Sequence, residues 1–111
     1  MAHTKFDKSL KEKISFFSLK DSDCLIYSNK YAVALKYDRK IKPAPFVVYK
    51  SKDVAETLKL AQFFKITKIK HKIANKIFKT TEYGEIIGYD LFDIIAEILA
   101  EIYNSRDENE Y

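Results

Sequence analysis

Among 111 residues there is one cysteine, there are two glycines and two prolines, and there is no tryptophan. Each scarcity removes a class of explanation. A lone Cys24 cannot form an internal disulfide, so an apolar core must hold the fold, and the composition suits a reducing cytoplasm. With Leu25 and Ile26 beside it, Cys24 reads as an inert core thiol. Two glycines, Gly84 and Gly88, are too few for a phosphate-cradling glycine-rich loop. Only His3 and His71 offer imidazole chemistry. His3 lies near the terminus, and His71 stands among lysines whose positive field disfavours both protonation and metal binding. A Ser/His/Asp constellation would have to be assembled from ordinary residues. No apolar run approaches the ~20 residues needed to cross a bilayer. Met1–Lys20 mixes Lys, Asp and Glu with its apolar residues, unlike a secretory signal. The sequence therefore argues against an enzyme, a metal site and a bound cofactor.

What is present is an apolar fraction of 47% and an aromatic fraction of 14%, which suit one folded domain with one core. The net charge of +4 hides a division. All but one of the 20 basic side chains, Arg106, lie in residues 1–80, whereas more than half of the 16 acids follow residue 81. Such asymmetry makes an electrostatic partner surface, or solvated faces that simply differ in charge, or two halves that attract each other within one fold.

Phe6, Leu10, Ile14 and Phe17 recur at helical spacing, which predicts an amphipathic linker helix within residues 1–20. Asp21-Ser22-Asp23 breaks it. Cys24–Tyr27 reads as a short strand. From Tyr31 to Tyr37 the larger apolar side chains alternate, leaving Ala32 and Ala34 on the opposite face, where a helix could pack closely. Asp38-Arg39-Lys40 make a polar turn, and Pro45 opens the next strand, Phe46–Tyr49. Asp53 with Glu56 three residues on forms a capping-box pattern ahead of a helix through Val54, Leu58, Ala61 and Phe64. Residues 66–70 read as a fourth strand and Ile73–Phe78 as a short helix. Tyr83–Gly88 is a loop. Leu91, Ile94, Ile95, Ile98, Leu99 and Ile102 then mark a final helix, with Asp90 as its cap and Asp93, Glu97 and Glu101 along its polar side. The expected architecture is α/β: a small mixed sheet of about four strands flanked by helices. The linker helix would occupy residues 1–20, the domain 21–104, and a flexible acidic tail 105–111.

Lys65, Lys68, Lys70, Lys72, Lys76 and Lys79, interleaved with Phe63, Phe64 and Phe78, raise the alternative of a Lys-rich nucleic-acid-binding module. Against it, the aromatics fall at core-like positions, arginine is nearly absent, and lysine-rich edges also protect strands from aggregation.

The run Tyr31-Ala-Val-Ala-Leu-Lys-Tyr-Asp38, followed by Ala44-Pro45-Phe46-Val47-Val48, resembles the cytoplasmic domain of the FlhB/YscU family. These are switch proteins of the flagellar and type III secretion export apparatus. The likeness continues through the helix from Val54, the segment Ile73–Phe78, Gly84 and the final helix, covering roughly residues 20–104. In that family the strand before the motif ends in Asn-Pro-Thr-His, and the asparagine cyclises to cut its own chain before the proline. Here Tyr27, Ser28, Asn29 and Lys30 stand in that place, and no Asn-Pro pair occurs, so the resemblance implies no autocleavage. It also implies a stand-alone relative without the family's transmembrane helices, cytoplasmic, not inserted in the membrane but able to dock at the export gate. Its partners would be flagellar export apparatus proteins and export substrates, with no nucleic acid. The family's exposed apolar patch for substrate motifs maps by resemblance to Ala44, Pro45, Ala74 and Ile77.

Overall fold

The structure is a computed structural model that describes residues 19–109, with side chains as far as Ile102. Of the expected linker helix, only Leu19 and Lys20 fall within the described residues, and both are helical. Four strands follow the chain as β1 (Cys24–Tyr27), β2 (Ala32–Lys36), β3 (Phe46–Ser51) and β4 (Thr67–Lys70). The helices are α1 (Val54–Phe63), α2 (Ile73–Thr80) and α3 (Phe92–Asn109), with a 3₁₀ turn at Tyr89–Leu91. The sheet order is β3-β2-β1-β4, antiparallel except for the parallel β1–β4 pair, so the expected small mixed α/β sheet is what the chain forms.

The alternation in β2 divides the two layers. Val33 and Leu35 join Cys24, Ile26 and Val47 under α2 and α3. Ala32 and Ala34 face the other way, with Leu19, Leu25 and Ala61 of α1. All three alanines are fully buried, and their small side chains let α1 lie close to the sheet. The β2–β3 register slips between Ala34 and Leu35, a bulge that leaves Val48 unpaired and turns it toward the α1 layer with Tyr49. Burying Leu35, Ile77 and Ile95 stabilises the fold by roughly 1.5–3 kcal/mol each, since all three are almost wholly withdrawn from solvent.

The ends of α1 show how local sequence sets its limits. Asp53 Oδ1 accepts from Glu56 N at 3.1 Å, as the capping pattern requires. The return bond from Glu56 is replaced by Ser51, whose Oγ accepts from Asp53 N at 3.0 Å. At the other end Lys65 N donates to Gln62 O and Ile66 N to Ala61 O, a Schellman closure with Lys65 at φ 61°. Two expectations change near α3. Asp90 does not cap it; the 3₁₀ turn leads into the helix, and the Asp90 carboxylate pairs with Lys76 instead. The helix also runs to Asn109, through most of the stretch expected as a tail from 105.

Candidate functional site

Tyr27, Ser28, Asn29 and Lys30 come together in the tight β1–β2 turn. Tyr27 ends β1 opposite Ala32, and its carbonyl accepts from His71 N at 2.9 Å. Ser28, only 9% exposed, organises the turn. Its Oγ accepts from Lys30 N at 3.1 Å and Tyr31 N at 3.2 Å, and donates to Asn75 Oδ1 at 2.5 Å. Ser28 N also donates to Tyr31 O at 2.8 Å. Asn29 and Lys30 are exposed.

The other expected set divides. Ala44 and Pro45 form one wall of an apolar groove of about 400 Å³, whose floor includes Ile87. Ala74 and Ile77 do not line it; both are 0% exposed in α2 and pack against the sheet. The second wall belongs to α3, through Phe92, Ile95, Ala96 and Leu99. The physical reason is plain: the apolar face of α2 is consumed by β1 and β2, whereas α3 runs beside the loop that carries Pro43 to Pro45. A signal existed, because Ala96 and Ala100 are small residues at exposed positions on an otherwise bulky helix.

The Ala44–Pro45 wall is held by an improvised strand. Ile87 N donates to Pro45 O at 3.0 Å, Val47 N to Glu85 O at 3.0 Å and Gly84 N to Val47 O at 2.7 Å, with a bridge between Phe46 and Ile86. Gly84 makes this possible at φ 81°, a conformation that side chains disfavour. Tyr83 Oη accepts from Lys50 N at 3.1 Å and donates to Lys50 O at 3.0 Å, closing the outer edge of β3. Tyr37 also lines the groove, and Arg39 Nε donates to its Oη at 2.8 Å, which raises the guanidinium pKa.

The lysine–aromatic run does not form one stripe. Phe78 stacks on Tyr31 with ring centroids 4.2 Å apart, with Lys50 over the Phe78 ring and Lys79 near the Tyr31 ring. Phe64 packs against the α1-side core and Lys76 is held by Asp90. Phe63 is 77% exposed and meets Phe64 edge-on, with ring centroids 5.3 Å apart. Among the described residues no group of three or more His, Cys, Asp or Glu side chains could hold a metal, and no helix is long and apolar enough to cross a membrane.

A four-stranded mixed sheet with one helix on one face and two on the other, grooved beside the start of β3, defines the class: a small α/β domain. The cytoplasmic domain of FlhB from Shewanella putrefaciens shares the fold with a TM-score of 0.81 and 30% identity, over 86% of this chain and 77% of that one. An EscU C-terminal domain carrying one substitution gives a TM-score of 0.76 at 23% identity, over 84% of this chain and 89% of that one, which is a likeness of fold. The flagellar biosynthetic protein FlhB of Bacillus subtilis (strain 168) is 28% identical over 81 residues, 70% of this chain but only 22% of that relative. Residues 13–102 match the FlhB HrpN YscU SpaS family, and the chain belongs to it.

Proposed function

We propose that this chain is a non-enzymatic component or modulator of the flagellar type III export apparatus, binding export substrates or gate components without cutting itself. The observation that carries the reading is the groove between Ala44–Pro45 and α3. It is apolar and open, and it is built at the strand start where the family resemblance puts substrate recognition. A short apolar segment seated there would bury side chains against Phe92, Ala96 and Leu99, the contact chemistry that suits peptide capture. The absence of an Asn-Pro pair and the three hydrogen bonds of Ser28 Oγ favour an intact β1–β2 turn.

The test uses the full chain as bait for purified export-gate proteins and export substrates, beside an Ala96→Glu variant. The expected result is capture by the native chain and loss of capture by the variant at unchanged stability. Equal capture by both would remove the groove from the mechanism. Intact mass spectrometry should find a single uncut species; fragments ending at Tyr27, Ser28 or Asn29 would refute the non-cleaving role. Salt-sensitive binding to random DNA or RNA, with no capture of export proteins, would favour the nucleic-acid alternative.

A further inference from the structure

A second concavity, of about 280 Å³, lies far from the groove in character. Its lining is polar and cationic: Lys30 with Ser28 and Asn29 from the β1–β2 turn, Lys70 at the end of β4, His71 and Lys72 from the turn that follows it, and Asn75 from α2. The hydrogen bonds around it fix which atoms are available. Ser28 Oγ already accepts two backbone N–H groups, so its own proton must go to an acceptor, and that acceptor is Asn75 Oδ1. The Asn75 amino group is thereby left as a donor. His71 Nδ1 accepts from Ile73 N at 3.0 Å, which leaves the proton of the neutral ring on Nε2. The lining thus combines three lysines with two neutral donors fixed by their own hydrogen bonds, and it includes no carboxylate.

Those lysines are also unspent. Among the described residues the salt bridges are Lys50–Glu82 and Lys76–Asp90, and neither reaches the cleft. Three like charges brought to one cleft repel one another, so the arrangement costs stability unless an anion offsets it. We propose that this cleft is a receptor for a phosphate-class oxyanion. A planar carboxylate is best met by the fork of an arginine, and the lining has none; separate lysines from two parts of the chain suit the tetrahedral oxygens and roughly doubled charge of a phosphate. The anion could arrive as a free phosphorylated compound or as a phospholipid headgroup, and the two share this chemistry.

The experiment titrates the full chain with inorganic pyrophosphate and follows backbone amides by NMR. Saturable shifts are expected at Ser28–Tyr31 and Lys70–Asn75, sparing Ala96 and Leu99. Lys30→Gln and Lys72→Gln should each weaken binding by about fivefold, as loss of one charge-assisted contact at an open site implies. Sedimentation with phosphatidylcholine vesicles, with and without phosphatidylglycerol, separates the sources. Binding to the anionic vesicles that pyrophosphate blocks supports the headgroup, and binding to pyrophosphate alone supports a free compound. No saturable shift, or shifts unchanged in both folded variants, would overturn the proposal. So would poly-glutamate binding at the same amides as tightly as pyrophosphate, since that would make the cleft a receptor for acidic protein segments.

Discussion

Ser28 Oγ donates to Asn75 Oδ1 across 2.5 Å, tying the β1–β2 turn to α2 over a separation of 47 residues. The same oxygen holds the amides of Lys30 and Tyr31, so one side chain closes the turn and anchors it. Ser28→Ala should cost roughly 1–3 kcal/mol, because the two backbone donors lose their partner in a half-buried place. Asn75→Ala should cost a similar amount, and the double variant less than the two combined, since both remove one shared bond. Urea unfolding measures this. A loss below about 0.5 kcal/mol for Ser28→Ala, the range of an ordinary surface change, would show that the turn stands without its serine.

Lys65 occupies the left-handed position of the α1 closure at φ 61°. Its side chain is exposed, so replacement removes no core contact. Lys65→Gly should therefore raise stability by about 0.5–1 kcal/mol, the relief of backbone strain exceeding the extra freedom glycine gives the unfolded chain. Lys65→Val should lower it, because a β-branched residue fits that conformation worst. Thermal melts of the two variants should move in opposite directions.

Much of this was legible from the residues alone. The alternation of Val33 and Leu35 against Ala32 and Ala34 announced both sheet faces, and Asp53 announced the start of α1. The groove was half legible. Ala44-Pro45 could be placed, but its helical wall could not, because Ala74 with Ile77 and Ala96 with Leu99 present the same pairing of small and aliphatic residues three apart. Only packing decides between them, and the sheet claims α2. Asp90 departs from its expected capping role because it lies inside the 3₁₀ turn Tyr89–Leu91 rather than ahead of the helix, and its carboxylate pairs with Lys76. The cationic cleft was less visible still, since its lysines lie in two parts of the chain about 40 residues apart and its neutral donors are fixed by bonds to Ser28 and Ile73.

The Lys76 Nζ–Asp90 Oδ2 pair, at 2.5 Å, fastens α2 to the turn ahead of α3. The hydrogen bond from the Lys76 ammonium holds the Asp90 carboxyl below its ordinary value. A carboxyl whose folded value is depressed lends stability above its unfolded value and loses it as pH falls through the folded one. The native chain should thus exceed Lys76→Gln in stability at neutral pH, with the difference fading in acid below the usual carboxylate range. The difference should also shrink with added salt, because both side chains are largely exposed. An NMR titration of Asp90 should show its midpoint rising in Lys76→Gln; an unchanged midpoint would mean that the pair does not persist in solution.

Ile77 and Ala96 separate folding from binding. Ile77 is fully buried between α2 and the sheet, so Ile77→Ala should cost about 2–5 kcal/mol, the transfer loss plus the cavity left behind. Any loss of partner capture in that variant would follow unfolding and should recover on cooling or with stabilising co-solvent. Ala96 is exposed on α3 at the groove wall, where a longer side chain meets solvent rather than core. Ala96→Glu should leave stability within about 0.5 kcal/mol yet place a charge where an apolar ligand would lie. Calorimetric melts and capture assays on the same two proteins should dissociate: one unstable with recoverable binding, the other stable and blind to its ligand. If Ala96→Glu still bound while folded Ile77→Ala did not, the recognition surface would lie at α2 rather than at the α3 wall, and the groove would be packing alone.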